Sequence, residues 1–447
     1  MPTEAELQTI RNQVLELELN WFEAYLDYFF HTYFSTQVKP KPPSPLLPAS
    51  DSEYARLMEE NNADLEDRLI IMLAMAPHLQ PQLLDIFFTK NSDFDRGFSE
   101  FGGIQGKKHS GFLPTMETAL VLLAMDNTAN RISHLHRFHP DYWLYTNSIL
   151  EFDDGEPNEP QTTRPLTVSQ SFVDLCTIGE ERAPTFSANF PARLLETKLI
   201  WDDLVLDAYT EEQLLELEVW LNSGNQIFVD WNIDNRIKPG YRCLFFGPPG
   251  TGKTLTATLL GKRFSRQVYR VDLSMVVSKY IGETEKNLEK IFQQGENKDW
   301  VLFFDEADAL FGKRTNVNDS HDRFANQEIS YLLQRVEEYP GVVILATNLK
   351  ANVDDAFARR FQAMIHFPMP SPEERKLLWA NGFNGIDLHD GVDLVKIAND
   401  YEMSGGSIIN VIRYAVLMAT HSNRTEIISN DILKGIKREL LKEGKKY

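Results

Sequence analysis

The chain has 447 residues and a formal net charge of −20, from 65 acidic and 45 basic side chains. This length exceeds one ordinary compact core and predicts two or three domains, while 43% hydrophobic and 25% charged residues exclude a disordered or fibrous chain. A surface devoted to nucleic acid needs clustered Lys and Arg to neutralise phosphates, so the acidic balance argues against nucleic acid as a partner.

Targeting signals are not evident in the sequence. The first 20 residues are acidic and amphipathic, without the basic and apolar regions of a secretory signal. The longest apolar stretches fall well short of the roughly 20 residues that span a bilayer. The two cysteines, Cys176 and Cys243, match neither a disulfide framework nor a zinc site. We therefore expect a cytoplasmic protein without a membrane partner.

The first fifty residues predict a helix followed by an extended segment. Leucines and aromatic residues recur in steps of three and four from Glu4 to Phe34, which is typical of an amphipathic helix. The segment from Lys39 to Pro48 reads KPKPPSPLLP, and so many prolines exclude a helix or an inner strand. Residues 1–50 are thus expected to form a separate element tethered to the rest.

Residues 51–190 predict a mostly helical domain, for which binding of a substrate or an adaptor is the candidate role. Its glycine-rich stretch from Gly102 to Gly106 is typical of a turn, because the lysines that follow are not placed as in a phosphate-binding loop. His134, His136 and His139 lie close together, but the chain has no HExxH motif, so a zinc protease is not indicated.

Residues 191–370 alternate short apolar runs with helical stretches, which predicts an α/β domain with a parallel sheet and crossover helices. Each run ends where a polar residue begins, and ligands of such sheets lie at the carboxyl ends of the strands. The predicted strands are Cys243–Phe246, Val268–Leu273, Val301–Phe304 and Val342–Ala346.

The strongest motif is GPPGTGKT, a complete G-x-x-x-x-G-K-[ST] phosphate-binding loop between a strand and a helix. Its glycines let backbone N–H groups curve around phosphate oxygens, and the helix adds its positive amino-terminal end. Lys253 is expected to meet the β- and γ-phosphates of ATP, and Thr254 to bind Mg²⁺. The predicted nucleotide-binding residues here are Gly247, Pro248, Pro249, Gly250, Thr251, Gly252, Lys253, Thr254 and Leu255.

A second motif lies on the strand that ends at Phe304 and delivers Asp305 and Glu306. Following a phosphate-binding loop, this pair predicts a Walker B arrangement in which Asp305 holds hydrated Mg²⁺ and Glu306 polarises the attacking water. The alternative is a helix start that carries two stabilising acids.

Two further signals follow along the chain. Asn348 comes after the fourth predicted strand, where its amide can bind the attacking water or the γ-phosphate, although a turn residue is an alternative. Arg359 and Arg360 are candidate arginine fingers that act on the ATP of a neighbouring subunit. Their alternative is a solvated or salt-bridged pair.

Taken together, these motifs resemble the AAA family of ring ATPases, from about Leu194 to the carboxyl end. The resemblance rests on the GPPGTGKT loop, on SKYIGETEKNL from Ser278, on FFDEADALFGKR from Phe303, and on Asn348 with the arginine pair. It implies an ATPase that uses ATP and Mg²⁺ and assembles into a hexameric ring of identical subunits. It also implies that residues 371–447 form a small helical lid domain.

The same resemblance assigns further residues. Asp203 and Leu204, together with Gly406 in the lid, match positions where the backbone surrounds the adenine. The segment Lys279, Tyr280 and Ile281 matches the central pore loop that grips an extended polypeptide, while burial of Tyr280 in a core is the alternative. A protein substrate is therefore expected.

Sequence segments of the N-terminal half, such as GFLPTMETA from Gly111 and WDDLVL from Trp201, are similar to those of the ATPase encoded with bacterial extracellular contractile injection systems. That similarity implies a role in the assembly, cargo loading or turnover of a phage-tail-like particle. A nucleic-acid-linked AAA loader or motor is an alternative, because one fold hosts many functions. A scaffold that binds nucleotide without hydrolysis is a further alternative, which the intact set of catalytic candidates argues against.

Overall fold

A computed structural model describes residues 3–35, 39–47, 52–91, 95–106, 108–152, 158–180, 182–184, 186–187, 190–231, 238–273, 283–307, 330–348 and 359–444. The chain divides into two compact units, an N-terminal unit of Met1–Ala183 and a C-terminal unit of Pro184–Tyr447. The N-terminal unit has one large hydrophobic core, and the C-terminal unit has clusters on both sides of a sheet and another among its last helices.

The N-terminal unit is built mainly from helices, in agreement with the sequence prediction. Its α-helices are α1 (Glu4–Phe34), α2 (Glu53–Glu60), α3 (Leu65–Leu79), α4 (Met116–Ala124), α5 (Thr128–His134), α6 (Trp143–Thr146) and α7 (Gln170–Ile178). Short 3-10 helices cover Pro81–Phe88, Ser99–Phe101, Leu135–Phe138 and Gln161–Thr163. Two-residue strands pair in antiparallel ribbons: β1 (Lys90–Asn91) with β2 (Arg96–Gly97), β3 (Ile104–Gln105) with β4 (Phe112–Leu113), and β5 (Leu150–Glu151) with β6 (Thr167–Val168).

Helix α1 has the predicted bounds, but it is part of the core rather than an element that stands apart. Its apolar face, which includes Phe22 and Phe29, is fully buried in the same cluster as the side chains of α3 and α7. Arg11 donates a hydrogen bond to the carbonyl of Ile178 at 2.9 Å. The proline-rich segment is held as well, because Lys39 pairs with Asp27 of α1 at 2.8 Å.

Charged side chains are buried within the N-terminal unit. Asp67 at the start of α3 is 3% exposed and pairs with Arg137, which is 7% exposed. Tyr142 and Trp143 also donate to the Asp67 carboxylate, at 2.8 and 3.1 Å, so all its oxygens are bonded. Because a buried charge is costly without partners, this network fixes how the 3-10 helix at Leu135–Phe138 sits against α3.

A six-stranded sheet organises the C-terminal unit. The strands are β7 (Ala192–Leu194), β8 (Tyr241–Phe246), β9 (Val268–Val271), β10 (Val301–Phe304), β11 (Val342–Thr347) and β12 (Ala363–His366). Their order is β12-β8-β11-β10-β9-β7, with parallel pairing except for β7, which lies antiparallel to β9. The predicted strands are all present with ends that differ by at most two residues. The predicted fold class is therefore confirmed.

Helices flank this sheet and continue beyond it. They are α8 (Ala208–Trp231), α9 (Lys253–Arg263), α10 (Glu283–Lys298), α11 (described over 330–338), α12 (Pro372–Gly382), α13 (Leu394–Asp400), α14 (Gly405–His421) and α15 (Ser429–Lys442). Strands β8, β10 and β11 are buried along their whole length, because helices cover both faces of a parallel sheet. Helices α12–α15 share a separate core around Trp379.

In the part of the chain that the structure describes, no single helix has the length and apolar character to cross a membrane. One sharply bent pair, Leu65–Leu79 with Pro81–Phe88, meets that test by length and composition together.

Candidate active site

Three neighbouring strands bring the predicted catalytic segments to one edge of the sheet. Strand β11 lies between β8 and β10, and all three are parallel. Strand β8 leads into the GPPGTGKT loop, β11 leads into Asn348, and β10 leads into Asp305. Residues separated by about a hundred positions in sequence therefore meet at the edge where ligands of such sheets bind.

The loop between β8 and α9 has the backbone that its glycines predict. Gly250 and Gly252 have φ values of +75° and +100°, a left-handed conformation that costs other residues free energy. Gly252 caps α9, and Thr251 folds back to donate to the carbonyl of Pro248 at 2.9 Å. The first N–H groups of α9 have no partner within the helix, so this end of α9 favours an anion.

Lys253 is the point where the loop and the adjacent strand meet. Its side chain is buried, with 8% of the residue exposed. The ammonium group donates to the carbonyls of Gly247 at 2.7 Å and Pro248 at 2.9 Å, and to the side-chain oxygen of Asn348 at 3.0 Å. The structure thus places Lys253 and Asn348 in direct contact.

Asp305 and Glu306 follow β10 without a break. The Glu306 N–H donates to one oxygen of the Asp305 carboxylate at 3.0 Å, and Arg270 approaches the other at 3.3 Å. Glu306 is exposed and has a φ of +51°, which is uncommon outside glycine and is often found at functional sites. Its carboxylate therefore belongs to a strained turn at the edge of the sheet.

Arg270 was not singled out by the sequence motifs. It is the exposed member of β9, pairs across the sheet with Phe303, and reaches the carboxylate at the end of β10. The signal that could have found it is a single arginine between buried neighbours, Tyr269 and Val271, close to the end of a predicted strand.

The residues expected to hold Mg²⁺ have suitable chemistry. Thr254 offers a hydroxyl in the first turn of α9, and Asp305 offers a carboxylate at the same sheet edge. Mg²⁺ prefers such hard oxygen ligands and is commonly bound by one or two protein groups together with substrate phosphates and water. In the described ranges, no group of three or more His, Cys, Asp or Glu side chains is placed to hold a metal ion.

The residues assigned to the adenine lie around the same loop. Leu204 follows the 3-10 helix Trp201–Asp203, and its side chain lies beside Gly252. A Cβ atom added to Gly252 would be in van der Waals contact with the Leu204 side chain. Asp203 accepts a hydrogen bond from the Ile200 N–H at 2.8 Å, which fixes that turn. On the lid side, the Gly406 N–H donates to the carbonyl of Gly250 at 2.9 Å.

Arg359 and Arg360 lie elsewhere. They precede β12, which runs parallel to β8, so they are at the amino-terminal edge of the sheet. Lys253 follows the opposite edge, and the length of the strands separates it from the two arginines of the same chain. Both arginines are exposed, and Arg360 forms an ion pair with Glu337 of α11.

The predicted pore-loop residues Lys279, Tyr280 and Ile281 lie outside the described residues. Leu255 is in the first turn of α9, directly after Thr254. The phosphate-binding loop, Asn348 and the acidic pair therefore lie at one edge of the sheet, and Arg359 and Arg360 lie at the opposite edge.

Comparison with known proteins identifies the sheet domain. Residues 243–369 match the family model described as ATPase family associated with various cellular activities (AAA). The chain is 30% identical over 220 residues to the 26S proteasome regulatory subunit 10B homolog A of Arabidopsis thaliana, covering 47% of this chain and 54% of the relative. It is 32% identical over 252 residues to the Cell division cycle protein 48 homolog of Archaeoglobus fulgidus, covering 55% and 33%.

A further relative is Fidgetin-like protein 1 of Drosophila melanogaster, 28% identical over 303 residues, which cover 62% of this chain and 57% of the relative. The chain thus spans about half the length of the curated relatives it matches, and a third of the Cell division cycle protein 48 homolog. The matched region includes the loop at Lys253, the acidic pair at Asp305 and the asparagine at 348. Residues 243–369 therefore form a domain that matches the ATPases of the AAA family.

Proposed function

We propose that this protein is an oligomeric ATP-hydrolysing machine that remodels or assembles other proteins. The observation that carries the hydrolytic part is the contact between Lys253 and Asn348, with Asp305 and Glu306 on the next strand of the same sheet edge. These are the positive, amide and carboxylate groups that phosphoryl transfer to water needs in one place.

Each group has a distinct task in this reaction. Water attacks the γ-phosphorus, the bond from that phosphorus to the bridging oxygen breaks, and ADP and phosphate leave. Lys253 neutralises phosphate oxygens, Asn348 fixes the position of Lys253 and of the γ-phosphate, and the Glu306 carboxylate accepts a hydrogen bond from the attacking water. Mg²⁺, held through Thr254 and Asp305, supplies charge neutralisation for the phosphates when bound.

Arg359 and Arg360 support a site that is shared between subunits. They are exposed at the sheet edge opposite to Lys253, an arrangement that suits contact with the nucleotide of a neighbouring copy rather than with that of their own chain. ATPase activity per subunit should therefore rise with protein concentration over the range where oligomers form. Constant specific activity down to a monomeric dilution, checked by light scattering, contradicts the shared site.

The protein-remodelling part rests on the relatives and on the pore-loop resemblance. Relatives include regulatory subunits of the 26S proteasome and a Cell division cycle protein 48 homolog. An aromatic residue flanked by an aliphatic one, as in Tyr280 and Ile281, can grip many polypeptides by apolar contact. We expect Tyr280→Ala to keep ATP hydrolysis and oligomer size while unfolding of a bound protein client is lost.

A finer proposal is that the client belongs to a contractile injection particle in the cytoplasm and that the ring is a hexamer. The similarity of residues 111–119 and 201–206 to ATPases encoded with such particles supports it. A Glu306→Gln variant loaded with ATP should retain its client in a pull-down, because turnover is blocked. Recovery of particle components supports the proposal; steeply salt-dependent capture of DNA instead favours a nucleic-acid motor.

A further inference from the structure

Arg242 is a buried charge that the proposed chemistry does not use. It is the second residue of β8, is 5% exposed, and lies at the amino-terminal edge of the sheet, away from Lys253. Its guanidinium donates to the carbonyls of Glu337 at 2.8 Å, Pro239 at 3.3 Å and Gly240 at 3.3 Å. Burial lowers the pKa of Arg242, and the nearby Glu337 carboxylate opposes that shift.

The same residue holds the chain segment that carries the arginine pair. The Arg242 N–H donates to the side-chain oxygen of Gln362 at 2.8 Å, and the Gln362 N–H donates to the Arg242 carbonyl at 2.9 Å. The Arg242 side chain also approaches that Gln362 oxygen at 3.4 Å. Gln362 is only two residues after Arg360. This reciprocal pair of hydrogen bonds therefore fixes the position of the backbone that connects the two arginines to β12.

A second connection reaches the arginine side chain itself. Glu337 on α11 pairs with Arg360 through its carboxylate, while its backbone carbonyl accepts from Arg242. Arg360 and Glu337 keep 47% and 40% of their side-chain surface exposed, and such exposed pairs contribute little to stability. The ion pair therefore matters for the direction of Arg360 more than for the stability of the fold.

We propose that Arg242, Gln362 and Glu337 form a clamp that positions Arg359 and Arg360 for the nucleotide of a neighbouring copy of the chain. This inference rests on the proposed function, specifically on the shared active site. The clamp residues touch no substrate; they act through the arginines. Replacing the buried Arg242 with an apolar residue would leave the carbonyl of Glu337 without its donor, while the backbone N–H of residue 242 would still donate to Gln362.

A complementation experiment separates the two sides of the shared site. One full-length chain, the donor, carries Lys253→Ala and keeps its arginines; the other, the acceptor, carries Arg359→Ala with Arg360→Ala and keeps its phosphate-binding loop. Each alone should be inactive, and a mixture should release phosphate from ATP because donor arginines complete acceptor sites. Binding of a fluorescent ATP analogue to each chain verifies that only the donor has lost its nucleotide.

Clamp substitutions are then placed in one partner at a time. Glu337→Gln and Gln362→Leu change partly exposed side chains, so folding should persist; Arg242→Met tests the buried member. In the donor, each should lower the activity of the mixture by about 10- to 100-fold, since a displacement near 1 Å can cost that much. In the acceptor the same changes should leave activity within about twofold. Gln334→Leu, on an exposed face of α11, is the matched control and should have no effect in either partner.

The outcomes distinguish the two proposals. If the unmodified donor and acceptor do not restore activity, the shared site fails and the clamp falls with it. If they do restore activity but clamp variants in the donor remain fully active, the clamp alone is overturned. Equal losses in donor and acceptor would show a merely structural role and would also overturn it.

Discussion

The two compact units of the chain use charged side chains in opposite ways. The N-terminal unit has 28 acidic and 13 basic residues, a net charge of −15, whereas the C-terminal unit has 37 and 32, a net charge of −5. In the N-terminal unit, Asp67 and Arg137 are buried together and saturated with partners. In the C-terminal unit, Glu306 is exposed at a sheet edge on a strained backbone.

This contrast separates charges that hold a shape from charges that are placed for chemistry. A buried network removes its members from solvent and gives them one arrangement, which is useful for stability and specificity. A carboxylate at the end of a strand keeps its reactivity, and the neighbouring strands decide what it faces. Substitutions in the two units should therefore affect different measurements.

The largest expected effect is on turnover in the C-terminal unit. Glu306→Gln removes the carboxylate that polarises water, and ATP hydrolysis should fall by about 10²- to 10⁴-fold, measured as phosphate release. The unfolding midpoint should stay the same, because the side chain is exposed. Glu212→Gln on the exposed face of α8 is the control with unchanged rate. Unchanged hydrolysis in Glu306→Gln would remove this residue from the mechanism.

The second effect is on stability in the N-terminal unit. Arg137→Ala leaves the Asp67 carboxylate buried without its cation, which should cost about 3–5 kcal/mol in the free energy of unfolding. Urea denaturation followed by tryptophan fluorescence measures it. Arg56→Ala, which removes a half-exposed arginine that pairs with Glu53, is a matched change that should cost less than about 1 kcal/mol. Equal costs for the two variants would break the comparison between buried and exposed charges.

A third test concerns the packing of the phosphate-binding loop against the lid helix. In Gly250→Ala the new methyl group would lie 2.6 Å from the Ser404 hydroxyl, on a backbone with φ of +75°. We expect about 1–3 kcal/mol of strain, observed as weaker binding of a fluorescent ATP analogue. Adding Ser404→Gly should recover part of the affinity by removing the clash while leaving the backbone strain. No recovery would mean that the backbone strain alone accounts for the loss.

The smallest effect is a pH dependence in the N-terminal unit. The His78 side chain is exposed at the end of α3, and its partial desolvation, together with the nearby His109, lowers its pKa below the ordinary value. Because the unfolded chain then binds the proton more tightly, stability is complete above about pH 6.5 and is lost as pH falls through the folded pKa. His78→Gln should flatten the change in thermal midpoint between pH 7.5 and 5.5. An identical pH profile in that variant would assign the dependence to other groups.

Sequence reasoning located the C-terminal site because its residues follow strands. Phosphate-binding glycines and the Asp305–Glu306 pair are contiguous, so their chemistry is visible before folding. The contact of Lys253 with Asn348 was not predicted, although both residues were expected after strands of the same sheet. Arg242 and Glu337 were missed because 95 residues separate them and neither belongs to a phosphate-binding pattern. Only the sheet brings them together.

For the N-terminal unit, the sequence predicted the bounds of the first helix but not its packing. The periodicity of α1 predicted its bounds, since an amphipathic stripe is a local property. It did not predict what that stripe packs against, and the helix proved to share a core with α7 rather than to stand apart. Two-residue strands such as Ile104–Gln105 were also missed, because so short a segment has no periodicity to detect.

The contact between α1 and α7 has a consequence for how the chain is made. Arg11 bonds to the carbonyl of Ile178, 167 residues later, and Gln8 bonds to the carbonyl of Thr177 at 2.7 Å. During synthesis the first helix therefore emerges long before α7, and the part of its surface that packs on α7 stays uncovered in the interval. Closing so long a loop is slow, so chaperone demand on the ribosome should fall sharply once α7 has emerged.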